Sequence, residues 1–298
     1  MDILVSYVPL LDLFLINAGF ALSQYIVLRA GAFSIATAGL VSVGAYLAAL
    51  LMTRYQIPIM LAAPLAAAFG LMLGLALSLP LARLRGPYQA IATLAFVQIV
   101  MALAFYAEPL TGGALGLNNI PKQVSTLGLA ACLLLVLYVL GSVNRTRLGR
   151  TFDALRQDET VAGSLGIPVG LNHALAFALS GAIAGLFGAL QAGYIYSIAP
   201  EQYGFGLLAG TLAAVILGGR RSVWGPVVGA AIMTLLPELA RPLADNRLLL
   251  TGTMLIIMII FLPQGVIDGI SLMRARRSGS VQRPTAGPVT SGAAKVTP

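Results

Sequence analysis

At 298 residues, 58% hydrophobic and only 9% charged, the chain carries far less charge than the ~25% usual in a soluble domain. It could not cover its own surface with polar groups in water, so a soluble fold is excluded and the bilayer is the fitting solvent. A net charge of +8 would suggest nucleic acid in a soluble chain, but here the basic residues sit in short gaps between apolar runs, the pattern of membrane-flanking charge.

Nine apolar stretches follow one another at about 8–28, 32–53, 58–82, 88–107, 124–142, 173–197, 204–219, 223–240 and 248–266. A crossing takes about 20 residues, so the expectation is an all-α, polytopic membrane protein of about nine transmembrane helices. Met1-Asp2-Ile3 lacks the basic start of a cleavable signal, which makes the first run a retained helix. The seventh and eighth runs are short, and a broken or re-entrant path is their alternative, allowed only where protein or a water-filled cavity covers the backbone. Residues 1–272 form the transmembrane domain. Residues 273–298 are basic and rich in Ser, Gly, Pro, Thr and Ala, and read as a disordered tail.

Lys and Arg set the orientation. If the long loop 143–172 is cytoplasmic and crossings alternate, only Arg54, Lys122, Arg241 and Arg247 of the 18 basic residues fall outside. The positive-inside rule then predicts an outside N-terminus and a cytoplasmic C-terminus. Within the spans, Gly70/Gly74, Gly181/Gly185, Gly206/Gly210 and Gly225/Gly229 are spaced four apart, which puts two small surfaces on one helix face for close backbone approach.

The sequence offers little to a catalyst. His173 is the only histidine and Cys132 the only cysteine, so two-histidine metal sites and internal disulfides are excluded. The two lysines, Lys122 and Lys295, belong to no phosphate-cradling loop. No catalytic or metal residue is assigned. Asp12 is the one acid inside a span that could couple an ion to transport. Neutral polar residues within the spans, among them Thr37, Ser42, Thr93 and Gln98, are candidates to line a solute path or to bond helix to helix.

The loop 143–172 is the most informative segment. Phe152, Leu155, Ala162 and Leu165 recur on one helical face, and Asp153 and Glu159 each stand three residues from Arg156, within helical pairing distance. Gly166 and Pro168 supply the stop. Such a helix can dock into a groove of another protein or rest on lipid; the residues alone leave both open.

The wording of this loop, Gly149, Arg150, Ala154, Arg156, Asp158, Glu159, Ala162, Gly166 and Ile167, resembles the coupling segment of ABC-importer permeases. Other stretches are similar to LivM-type branched-chain amino acid permeases: Arg83-Leu84-Arg85-Gly86-Pro87-Tyr88, Leu110-Thr111-Gly112-Gly113, and Gly218-Gly219-Arg220-Arg221-Ser222-Val223-Trp224-Gly225-Pro226. The similarity runs from about residue 15 to 268, with its motifs in order. Two departures stand out: Gly31–Leu40 lacks the family's Gln and His, and Arg221 replaces the second glycine of Gly-Gly-x-Gly.

The resemblance implies a multi-pass permease subunit in a bacterial cytoplasmic (inner) membrane. Its implied partners are a LivH-type second permease subunit, two cytoplasmic ABC ATPases and a periplasmic solute-binding protein. The solute would be a branched-chain amino acid or a related small polar molecule. The chain itself would bind no cofactor, ATP being hydrolysed by the partners. Gly149, Arg150, Ala154, Arg156, Asp158, Glu159, Ala162 and Gly166 would couple to the ATPases, and Thr37, Ser42, Thr93 and Gln98 are the candidates for the translocation path. A self-contained secondary carrier or facilitator is the competing expectation, with Asp12 as its coupling group.

Overall fold

The computed structural model describes residues 2–84, 86–239 and 265–267. Among the described residues the α-helices run in the order α1 (Asp2–Arg29), α2 (Thr37–Arg54), α3 (Ile59–Leu81), α4 (Pro87–Tyr106), α5 (Glu108–Thr111), α6 (Thr126–Arg145), α7 (Arg147–Gln157), α8 (Glu159–Ser164), α9 (Val169–Tyr194), α10 (Phe205–Gly218) and α11 (Trp224–Leu239). Among the described residues, extended pairing is limited to Leu117 opposite Ile198.

Six of these helices, α1 (from Val8), α2, α3, α4, α6 and α9, are long and apolar enough to cross a membrane. They fall on the first six expected spans, in order. The ninth expected span, 248–266, lies almost wholly outside the described residues, and so does the tail 273–298. The second span starts later than its hydropathy suggests. Residues 30–36 are apolar but irregular, and the helix begins at Thr37.

The core is built on glycine. Helix α9 runs between α2 and α3 and against α1, and α1, α2 and α9 are the most buried spans. A Cβ on Gly181 would fall on the Gly70 carbonyl, one on Gly74 on the Phe177 carbonyl, and one on Gly188 on the Val41 carbonyl. Backbones therefore touch directly, as the spacing of Gly70/Gly74 and Gly181/Gly185 predicts. In hydrocarbon there is no hydrophobic drive between helices, so this close van der Waals fit is what holds them. Ser23 adds a buried hydrogen bond to the Ser180 carbonyl at 2.9 Å.

Helices α3, α4 and α6 form an outer layer whose apolar side chains, such as Met60 at 84% and Leu127 at 82% exposure, face outward. Only lipid or another subunit would accept that surface.

The seventh stretch is short, as expected. At ~1.5 Å per residue α10 is roughly 21 Å long, against a hydrocarbon core of about 30 Å, while α11 reaches the edge of the described residues at Leu239. The reason lies in the connection before α10. Tyr203 is buried with its ring 6.1 Å from that of Tyr46, which sits midway along α2, so the chain has already descended before α10 begins. Its backbone is satisfied on the way in by Leu117 and Ile198 exchanging two 3.0 Å bonds. Helices α10 and α11 then form a hairpin, with Gly218 against the Gly225 carbonyl and Gly229 against that of Ala214. The pair Gly206/Gly210 departs from expectation: no atom stands within 4 Å of a Cβ built there. Both line a cavity of about 190 Å³ with Asn17, Thr211 and Met233.

Candidate functional site

One end of the bundle carries α7 and α8. The expected single helix is in fact two, broken at Asp158, whose backbone is extended. The Asp158 carboxylate accepts from Thr160 N at 2.7 Å and Val161 N at 3.0 Å, capping α8. Gly166, at φ 83°, closes α8 with Gly166 N donating to Gly163 O and Ile167 N to Ala162 O.

The break re-aims the side chains. Phe152, Leu155 and Ala162 are buried against the spans, but Leu165, expected on the same face, is 76% exposed, beside Val161 at 55%. The expected pairing of Arg156 with Asp153 and Glu159 is also corrected. Asp153 turns inward to Arg29, with Nη2–Oδ2 at 3.0 Å and Nε–Oδ1 at 3.3 Å. Glu159 lies past the break, out of helical register with Arg156, and faces His173 Nε2 at 3.6 Å. Gly149 is glycine because a Cβ would strike the Asn144 backbone at the end of α6. Arg150 is exposed, and Arg156 and Ala154 are half-buried.

The Asp158 carboxyl is held below the usual carboxylate range by the backbone N–H groups of Val161 and Thr160. A depressed folded pKa means that the cap's stabilisation is present above the unfolded value and is lost as pH falls through the folded one. Asp158→Ala should raise amide-exchange rates over residues 159–164 at neutral pH, while Asp158→Asn, also a good cap, should preserve protection. Equal protection in all three proteins would show that the cap contributes nothing.

Directly beneath α7 lies the irregular α1–α2 loop. The Gly31 backbone, at φ 88°, faces Leu155 O and the Arg156 backbone so closely that a Cβ would sit 3.1 Å from that oxygen. Irregular backbone inside a membrane bundle must find partners, and here neighbouring side chains supply them. Phe33 N donates to Gln89 Oε1 (3.1 Å) and Ile35 N to Thr93 Oγ1 (3.1 Å). Gln24 Nε2 donates to Ser34 O (2.5 Å), and Thr37 Oγ1 donates to Gln24 Oε1 (2.5 Å). His173 Nε2 lies 3.2 Å from Ala30 O.

Of the four path candidates, Thr37 and Thr93 are thus brought together at this loop, buried and hydrogen-bonded. Ser42 is buried within α2. Gln98 is exposed on a different face of α4, in an open cleft of about 470 Å³ with Met101, Phe105, Tyr106 and Glu108. Asp12 is distant from the loop, 4% exposed on α1 beside Tyr194, with its Oδ1 lacking a hydrogen-bond partner. No cluster of three or more His, Cys, Asp or Glu that could hold a metal ion occurs among the described residues.

The family model for the permease component of branched-chain amino acid transport systems matches residues 7–262. The chain belongs to this permease family. It is 33% identical over 263 residues to the high-affinity branched-chain amino acid transport system permease protein LivM of Salmonella typhimurium and 32% identical to LivM of Escherichia coli. Each alignment covers 77% of this chain and 62% of the relative, so the chain spans under two thirds of those proteins. A shorter match, 30% over 143 residues, is to the galactose/methyl galactoside import permease protein MglC of Escherichia coli, covering 44% of this chain and 42% of that one. No solved structure matches.

The permease's two departures from its family wording have local explanations. The loop 31–40 lacks its own Gln and His, yet Gln24, Gln89 and Thr93 hold its backbone from outside. At the α10–α11 turn the left-handed residue is Gly219, at φ 110°, while Arg221 is not at positive φ, so a side chain there is unstrained. Sequence reasoning missed Gln89 and the roles of Arg29, Asp153 and His173. Gln89 alone had a local signal: it stands one helical turn before Thr93 at the start of α4.

Proposed function

We propose that this chain is the membrane-spanning permease subunit of an ATP-driven ABC importer. It translocates a branched-chain amino acid or a related small polar solute handed over by a periplasmic binding protein. The observation that carries this reading is the α7–α8 segment. Its inner face is clamped to the spans by Phe152, Leu155 and Ala162, while Arg150, Val161 and Leu165 stand outward. The apolar face of α7 is used up against the protein, which favours docking over a helix lying on lipid. Exposed apolar residues on α8 and an exposed arginine on α7 suit docking into a groove of an ATPase. The similarity to the LivM branched-chain amino acid permeases and the coupling-segment wording support the same conclusion.

In this reading the α7 end is cytoplasmic, the N-terminus is outside and the C-terminus inside, with nine crossings in a bacterial inner membrane. The basic-residue count supports that orientation. Residues 1–272 are the permease domain and 273–298 a basic cytoplasmic tail. The exposed faces of α3, α4 and α6 supply surface for lipid and for a LivH-type second subunit. The solute path runs along the α4 face bearing Gln98, with Thr37, Ser42 and Thr93 behind it. Two partner ATPases bind and hydrolyse ATP.

The test is to purify the tagged chain from its native membrane in mild detergent and to measure uptake in vesicles. An ABC ATPase and a second permease should co-purify, and uptake should stop when ATP is removed. Recovery of the chain alone, with uptake indifferent to ATP, would overturn the importer and favour a self-contained carrier coupled through Asp12.

A further inference from the structure

We propose that the Arg29–Asp153 ion pair is the rigid link through which the α7–α8 segment moves the α1–α2 loop. The inference rests on the importer reading and adds to it the residues that carry force into the membrane.

Three observations converge. The pair is two-pronged, at 3.0 and 3.3 Å, which fixes direction as well as distance. Its side chains are unequally placed, Arg29 6% and Asp153 44% exposed. Separating them would strand a buried guanidinium without its counter-charge, so the contact persists while α7 moves. Finally, Arg29 is the last residue of α1, and its Nη1 donates to Tyr25 OH at 3.0 Å, one helical turn back. A displacement of Asp153 therefore reaches the end of α1, where the irregular loop begins.

The loop is suited to respond. It has little helical bonding of its own, and its backbone contacts to Gln24, Gln89, Thr93 and His173 can be exchanged one by one without breaking a helix. Gly31 receives the α7 backbone directly, so push and pull arrive two residues apart, at Gly31 and Arg29. The other two acids of the segment are less suited to the task. Asp158 is committed to its cap, and Glu159 meets His173 only at 3.6 Å.

The experiment uses the assembled transporter in proteoliposomes with its binding protein. Asp153→Asn should keep the ATPase subunits bound and hydrolysis within about twofold of the native rate, while solute uptake falls about tenfold, in the range of ordinary coupling effects. Asp153→Glu, which keeps the carboxylate, should retain most uptake. The double variant Arg29→Met with Asp153→Leu removes the buried charge together with its partner and should assemble and hydrolyse ATP, yet remain about tenfold low in uptake. If the double variant transports at the native rate, the pair is only structural and the proposal falls. If Asp153→Asn instead loses the ATPase, Asp153 is a docking contact; the link is then overturned and the importer reading stands. A native chain that captures no ATPase would defeat that reading itself.

Discussion

Gly181→Val is expected to lower the amount of folded protein in the membrane sharply and its melting midpoint by roughly 6–12 °C, from an overpacking cost of about 3 kcal/mol. The expectation follows from what a side chain would meet. Most overpacked sites relax because the neighbour is a rotatable side chain. At Gly181 the neighbour is the Gly70 carbonyl, part of the α3 backbone, with Gly74 Cα close behind. Relief would require α3 and α9 to separate along their contact, and that would also loosen Gly185 from Ala66 and Gly74 from Phe177. Gly141→Ala and Gly170→Ala are the matched controls, since a Cβ at either has no atom within 4 Å. Both should express and melt like the native chain. Detergent-solubilised protein followed by size-exclusion chromatography and thermal melting measures all three. A native midpoint for Gly181→Val would mean that the helices are not held by this backbone contact.

The spans were legible in the sequence because length and apolarity are sufficient to recognise a crossing. The glycine pairs on α3, α9 and α11 were legible for a related reason: four-residue spacing fixes a face, and only a close partner makes use of it. The same logic failed for Gly206/Gly210, where the spacing is present and the partner is a cavity. The α1–α2 loop was not legible. Ala32, Phe33, Ile35 and Ala36 are as apolar as a span, and no proline interrupts them. What stops the helix is a set of hydrogen bonds from Gln24, Gln89 and Thr93, up to 58 residues away in sequence. The α7–α8 break could have been read, since Asp158 followed by Glu159 and Thr160 is a helix-start pattern. The sequence-local pairing rule predicted Arg156 as the partner of Asp153. Arg29, 124 residues distant, won because its guanidinium is buried and a buried charge needs a counter-charge.

Gln24→Leu should have the second large effect, and it separates the loop from the helices that carry it. Gln24 is 2% exposed and both ends of its amide are used, one on Ser34 O and the other on the Thr37 hydroxyl. Leucine fills similar volume but leaves a carbonyl and a hydroxyl buried without these partners, at a cost of about 1–3 kcal/mol each. Those two groups sit on either side of the loop's end, so the cost falls on the loop rather than on the α3–α9 contact. Folding of the bundle should therefore survive while the loop loosens. A cysteine at Phe33, 41% exposed at the α7 end, reports this directly in a Cys132→Ser background. Thiol labelling there should accelerate about tenfold in Gln24→Leu, the equivalent of 1.4 kcal/mol in the opening equilibrium, and uptake should fall with it. Ser42→Ala, which truncates a buried hydroxyl within α2, should leave the labelling rate unchanged. If Gln24→Leu labels at the native rate but transports poorly, the glutamine acts on the solute path and not through the loop. If labelling and transport change together, the loop's conformation is what transport depends on, and the bonds of Gln24 set how readily it changes.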